Sequence, residues 1–175
     1  CLRLLEGLGA RGVAVTMPHK SAALACGVAD ELARQVGAVN SLRLDGQRAA
    51  TNTDVEGVRA PLAAALEGRG RGEGTLSCAS GRRKTTALIL GAGGAARAAA
   101  LACAELGLEV QVAARRSSAA SQVPGATGHL DWAQRHHSGA EVVLNATALA
   151  GDRSPWPEGQ EAALGGRLVF DLALA

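Results

Sequence analysis

At 175 residues, 47% of them hydrophobic and 23 of them glycine, the chain is long enough for one domain, or two small ones, with a buried core. A formal net charge of +2 with no long basic run gives no case for a nucleic-acid surface. No apolar run is long enough for a membrane span, no signal-peptide pattern is visible, and the cysteines (Cys1, Cys26, Cys78 and Cys103) show neither C-x-x-C nor paired metal spacing.

Residues 1–8, with Leu2, Leu4, Leu5 and Leu8, read as a turn or two of helix that Gly9 and Gly12 break. Residues 13–17 form a short strand that Pro18 terminates, with His19 and Lys20 directly behind it. Residues 21–25 look helical. Residues 30–36 open on acidic residues and stop at Gly37, where a helix-closing glycine belongs. Residues 38–44 alternate weakly as a strand, Asp45-Gly46 turns the chain, and residues 49–51 return. Asn52-Thr53-Asp54 then offers capping residues to a helix over 55–66, in which Pro61 predicts a kink or a late start. Residues 67–84 are glycine and charge without an apolar face, a flexible linker or surface loop rather than an RNA-binding segment.

Beyond that stretch, strands and helices alternate. Residues 86–90 read as a strand, 95–106 as a helix closed by Gly107, and 109–113 as a second strand. A polar loop over 115–118, a short helix near 130–136 and a third strand over 141–144 follow. A Pro- and Gly-rich loop leads to a fourth strand over 167–172. This alternation predicts a parallel sheet whose ligands bind at the carboxyl ends of its strands. Phe170, Trp132 and Trp156 are the whole aromatic complement, so Ala, Leu and Val must fill the core, which suits such a sheet. The expected fold class is α/β: a Rossmann-like domain over 85–175, and part of a smaller α/β substrate-binding domain over 1–66. The chain opens on Cys1 and stops inside the apolar run 168–175, so both ends are expected to be cut.

The strand at 86–90 runs into Gly91-Ala92-Gly93-Gly94-Ala95-Ala96, with Gly91, Gly93 and Ala96 at the G-x-G-x-x-G/A positions of a dinucleotide-binding turn. Gly91 permits the tight turn, Gly93 lets a pyrophosphate approach the backbone, and Ala96 lets the helix lie close to the strand. The amides at the start of that helix would hold the phosphates. An NAD-type site places Asp or Glu about 20 residues after the glycines. This chain has Ala113 and Ala114 there, followed by Arg115 and Arg116, which suits a 2′-phosphate and predicts NADP. A solvated basic loop is the alternative.

Four stretches stand in a telling order: Val15-Thr16-Met17-Pro18-His19-Lys20, Gly37-Ala38-Val39-Asn40-Ser41, Asn52-Thr53-Asp54 and Gly91-Ala92-Gly93-Gly94-Ala95-Ala96-Arg97. Together they resemble the shikimate dehydrogenase family, enzymes of aromatic amino acid biosynthesis that reduce 3-dehydroshikimate with NADPH. The likeness covers nearly the whole chain and continues through Asn145-Ala146-Thr147 and Val169-Phe170-Asp171. It implies that Lys20 is the catalytic lysine and Asp54 its partner. It also implies that Thr16, Asn40 and Asp54 contact a small polyol acid, and that Asn145 and Thr147, with Arg115 and Arg116, belong to the NADP site. The chemistry agrees: an ammonium beside a ketone oxygen stabilises the alkoxide that hydride delivery creates and supplies its proton. Without the resemblance, Lys20 reads as a surface lysine and Asp54 as a helix cap.

The chain also departs from the family pattern. Ala14 stands where the family has Asn or Ser, Ala148 where it has Pro, Ala150 where it has Gly, and Leu174 where it has Tyr. The family's N-terminal serine motif and its C-terminal glycine and glutamine segment are absent. A quinate/shikimate-type paralogue, a non-catalytic nucleotide-binding module and one segment of a multifunctional polypeptide therefore stay open, as does the oligomeric state. Reduced thiols and the biosynthetic resemblance suggest a cytoplasmic enzyme.

Overall fold

The structure, a computed structural model, describes residues 1–70, 84–149 and 154–172. Most of the expected linker, together with Cys78, Ala150 and Leu174, lies outside the described residues. Two compact units, Cys1–Val55 and Glu56–Ala175, divide the chain.

The first unit holds α1 (Leu2–Gly7), β1 (Gly12–Ala14), a 3-10 turn (Ala22–Cys26), β2 (Val28–Ala29), α2 (Glu31–Val36), β3 (Ser41–Arg43) and β4 (Ala49–Thr51). Its sheet runs β1-β3-β4-β2, antiparallel except for β2, which lies parallel to β4. Local chemistry sets the ends of α2: the Asp30 carboxylate accepts from the Ala33 amide at 2.7 Å, and Gly37 closes the helix at φ 68°. Gly46, at φ 89°, turns β3 into β4. Ala23, Ala33, Val39, Leu42 and Ala50 form the core of this unit. The two-residue β2 has no pattern of its own in the sequence. It exists because Gly27 lets the backbone approach Arg48, where a Cβ would lie 2.0 Å from the carbonyl oxygen.

Helix α3 (Asp54–Gly70) is continuous through Pro61, so it neither starts late nor leaves residues 67–70 in a loop. A proline inside a helix removes one amide donor, and the remaining turns carry the element past it. The second unit continues with β5 (Thr86–Leu90), α4 (Gly94–Glu105), β6 (Glu109–Ala114), α5 (Ser117–Ala120), β7 (Gly128–Asp131), β8 (Val142–Asn145) and β9 (Leu168–Asp171). Its five strands are all parallel in the order β7-β6-β5-β8-β9. Leu88, Ile89, Leu90, Val110, Val112, Val142 and Leu144 are fully buried, as the continuous apolar runs require of a parallel sheet covered on both faces.

Three local features differ from the sequence pattern. Residues 117–120 form a short helix instead of a loop, β7 adds a fifth strand, and the segment after β7 is a 3-10 helix (Trp132–His137). The loop between β8 and β9 brings Trp156 onto the core cluster of Leu88, Leu90, Ala113 and Val143, with its indole N–H donating to the Gln160 carbonyl at 2.8 Å. No helix among the described residues is long and apolar enough to cross a membrane.

Cys103, on the buried face of α4, is fully enclosed, and burial pushes its thiol up to about 12. At pH 8 it holds almost no thiolate. Maleimide labelling followed by peptide mass spectrometry should therefore modify exposed Cys1 in the folded protein and reach Cys103 only after denaturation.

Candidate active site

In the first unit, three segments far apart in sequence meet through hydrogen bonds. The Val15 amide donates to the Asn40 carbonyl at 2.7 Å, which ties the strand end before Thr16 to the loop after α2. The Val39 amide donates to the Lys20 carbonyl at 2.8 Å, and the Asn40 amide to the Thr51 carbonyl at 3.1 Å. Side chains complete the knot. Lys20 Nζ lies 2.7 Å from Asp54 Oδ2, with the lysine side chain 19% and the aspartate 27% exposed. Asn40 Nδ2 donates to the other carboxylate oxygen at 2.7 Å. The carboxylate therefore accepts one charged and one neutral donor and is fixed in rotation. The lysine ammonium, with three N–H bonds, keeps donors free for another oxygen.

Asn40 is more fully engaged than expected. Its Nδ2 also donates to Thr53 Oγ1 at 2.9 Å, and its Oδ1 accepts from the Thr53 amide at 3.0 Å. Both amide protons are used, so towards a ligand Asn40 offers a carbonyl lone pair. Thr16 is exposed in the loop between β1 and Lys20, its carbonyl accepting from the His19 amide at 2.9 Å. By its place in the sequence Asn52 is only a capping residue. It is in fact 1% exposed, donating from Nδ2 to the Ala38 carbonyl and accepting at Oδ1 from the Asp54 amide, each at 3.0 Å.

In the second unit the glycine turn leaves β5 at the point where the strand order reverses, the usual ligand position in open α/β sheets. The Gly91 amide donates to the Ala113 carbonyl at 2.8 Å, and the Ala146 amide donates to the Leu90 carbonyl at 2.9 Å. Gly91 sits at φ 114°, and a Cβ there would lie 2.8 Å from the Ala146 carbonyl oxygen. Gly93 differs: it is exposed, its φ is −80°, and a Cβ would meet nothing within 4 Å. It is the N-cap of α4, with no side-chain cap on the amides that follow. Ala92 and Ala95 are half-buried, and Gly94 begins the helix. Ala96 is fully buried.

Arg115 and Arg116 are exposed directly after β6, whose last residues, Ala113 and Ala114, are buried and uncharged. Asn145, at the end of β8, is 5% exposed. Its Nδ2 donates to Asp171 Oδ1 at 3.0 Å and to the Leu149 carbonyl at 3.4 Å, while its Oδ1 accepts from the Thr147 amide at 3.1 Å and hydroxyl at 2.7 Å. With all four positions occupied, Asn145 shapes the loop after β8 and bears on a ligand only through that loop. Thr147 Oγ1 accepts from the Leu149 amide at 3.2 Å, closing the same loop.

The chain is 39% identical over 165 residues to the shikimate dehydrogenase (NADP(+)) of Natronomonas pharaonis, an alignment spanning 88% of this chain and 57% of that relative. The shikimate 5-dehydrogenase of Thermus thermophilus, solved in complex with NADP(H) and shikimate, is 30% identical with a TM-score of 0.71 over 98% of this chain and 61% of that one. The chain is therefore similar to shikimate dehydrogenases over nearly all of its own length. It spans little more than half the length of these relatives. No protein-family model matches it. The quinate dehydrogenase of Corynebacterium glutamicum, in complex with NAD, shares the fold at a TM-score of 0.75 and 24% identity, covering 97% of this chain and 61% of that one.

Against the family pattern, Ala14 ends β1 opposite Ser41, one residue past Asn40, and offers a methyl where the pattern has an amide or hydroxyl. Ala148 is exposed in the loop that Asn145 and Thr147 hold. That loop keeps its hydrogen bonds without the proline.

Proposed function

We propose that the chain carries the Lys20–Asp54 catalytic pair and the cofactor site of an NADP-dependent dehydrogenase that interconverts 3-dehydroshikimate and shikimate. The reading rests above all on the 2.7 Å contact between Lys20 and Asp54, with Asn40 on the second carboxylate oxygen. The names of relatives 39–40% identical to it support the same reaction. In this assignment residues 1–66 serve the substrate and 85–175 the cofactor, in a cytoplasmic enzyme.

The residues present fit the dinucleotide. Gly93 leaves open space beside the backbone at the uncapped start of α4, where amides and the helix dipole favour a pyrophosphate. Arg115 and Arg116, with no carboxylate at the end of β6, suit a 2′-phosphate. When bound, NADP(H) supplies or accepts the hydride. The protein does the rest. Lys20 donates to the substrate oxygen and stabilises negative charge as it develops there, in a half-buried setting where such a contact counts for more than in water. It then gives up the proton in the reduction direction and takes it back in the oxidation direction. Asp54 holds the ammonium in place, and its own position is held by Asn40. Thr16 and the carbonyl of Asn40 complete the polar surroundings for the hydroxyls of a ring acid.

A quinate-preferring reading has one observation in its favour, the methyl of Ala14 beside this network, which removes a polar contact worth about 0.5–1.5 kcal/mol. A substrate panel decides: shikimate against quinate, each with NADP and NAD, on the full-length protein. We expect the highest kcat/KM for shikimate with NADP. A preference for quinate would move the assignment to the paralogue. Absence of turnover with either acid would leave a nucleotide-binding module.

For the cofactor, Arg115→Ala should weaken NADP binding about tenfold or more, the loss expected of a charge-assisted pair to phosphate. NAD binding should change little. Fluorescence titration of both cofactors measures this, and equal losses would remove Arg115 from the phosphate site.

A further inference from the structure

Resting on the reading above, we infer that Asn52 is a positioning residue that sets the Asp54 carboxylate, and through it the Lys20 ammonium, for proton transfer. Asn52 is 1% exposed, one of two buried polar or charged residues among those described. An amide placed there must find partners, because an unsatisfied one is costly. It finds them on both sides of the site. Nδ2 donates to the Ala38 carbonyl at 3.0 Å, on the segment that carries Asn40. Oδ1 accepts from the Asp54 amide at 3.0 Å, at the first residue of α3.

The two asparagines are reciprocal. Asn40 reaches from residues 38–40 to the backbone and hydroxyl of Thr53 and the carboxylate of Asp54. Asn52 reaches back from residues 52–54 to Ala38. The same segment holds Lys20, through the bond from the Val39 amide to the Lys20 carbonyl at 2.8 Å. Asn52 is thus joined to both members of the proton-handling pair. Buried as it is, it acts on the reaction only through the groups it places. Without its side chain the start of α3 loses one of its ties to the 38–40 segment, and the Asp54 carboxylate is held against Lys20 by Asn40 alone. Displacements near 1 Å in such constellations cost rates of order a hundredfold.

The test compares Asn52→Ala with Asn52→Ser in the full-length protein. A serine hydroxyl still accepts from the Asp54 amide, as in the turns serine favours, but is too short to reach Ala38. We expect Asn52→Ala to lower kcat about 10- to 100-fold and Asn52→Ser to recover part of that loss. The dissociation constant of NADP, read by fluorescence, should stay unchanged in both. Rates are referred to folded protein by circular dichroism. A role limited to stability would lower the folded fraction and leave kcat per folded molecule intact. Wild-type kcat in Asn52→Ser together with wild-type kcat in folded Asn52→Ala overturns the inference. If Asn52→Ala does not fold, Asn52→Ser decides alone: wild-type kcat overturns it and a reduced kcat supports it. Absence of turnover by the wild type in the same assay overturns the functional reading, and this inference with it.

Discussion

Lys20→Ala is expected to lower kcat about a hundredfold or more, the range associated with losing a positioned acid–base group or a donor to a developing oxyanion. Lys20 Nζ is held 2.7 Å from Asp54 Oδ2, and that carboxylate is anchored on its other oxygen by Asn40, so the ammonium is placed before a substrate arrives. Preorganisation of this kind costs nothing at the moment of reaction, so its loss appears in the barrier more than in binding. The fall in kcat/KM should therefore match the fall in kcat within a few-fold. NADP affinity should be unchanged, because the residues proposed to hold the cofactor, the glycine turn and the two arginines, do not include Lys20. Stability should move by about 1 kcal/mol or less, as for other partly exposed ion pairs. Steady-state kinetics with shikimate and NADP, with Tm alongside, are the measurement. Wild-type turnover in Lys20→Ala would remove Lys20 from the mechanism and leave the Asp54 network as a structural knot.

Local signals made much of this arrangement readable in advance. Asp30 and Gly37 bracket α2 because a cap needs a side-chain acceptor and an αL position favours glycine, and both preferences act over a few residues. The apolar runs of β5 and β8 announce themselves because strands buried on both faces cannot carry charge, and β6 joins them after its exposed first residue, Glu109. Strand β7 escaped notice for the opposite reason. Gly128, His129, Leu130 and Asp131 have no buried member and pair only along the sheet edge, so ladder bonds to β6, rather than pattern, make them a strand. The two residues of β2 and the seating of Trp156 on the core are likewise products of non-local contact.

The site divides in the same way. Lys20, Asn40 and Asp54 could be named from ordered motifs, yet no spacing announced that the Asn40 donors would be used up on Thr53 and Asp54. Nor did it show that Asn145 would be buried with its amide committed to its own loop and to Asp171. A side-chain amide has two donors and two acceptor positions, and which of them face a ligand is settled by neighbours distant in the chain. Asn52 is the clearest case. Its place in Asn52-Thr53-Asp54 suggests a cap, whereas its bond to Ala38 exists only once β3 and β4 have paired.

Gly91→Ala and Gly93→Ala should separate folding from binding within one turn. At Gly91 an added Cβ meets two penalties. The backbone sits at φ 114°, a region that L side chains rarely adopt, and the methyl would lie 2.8 Å from the Ala146 carbonyl oxygen and 3.1 Å from its carbon. Neither neighbour can swing aside, because the Ala146 amide is bonded to the Leu90 carbonyl and the Gly91 amide to the Ala113 carbonyl. Backbone strain and overpacking each cost about 1–3 kcal/mol, so a loss of about 3 kcal/mol or more is expected. That corresponds to a fall in Tm of roughly 6–12 °C for a chain of this size. At Gly93, φ −80° is open to alanine and the methyl meets no protein atom within 4 Å, so Tm should hold. The methyl would instead occupy the space through which a pyrophosphate approaches the first amides of α4, and NADP affinity should fall by about tenfold or more. Thermal unfolding and cofactor titration on the two variants read these effects independently. An unshifted Tm in Gly91→Ala would mean that the turn relaxes around the methyl. Wild-type NADP binding in Gly93→Ala would place the pyrophosphate somewhere other than this turn.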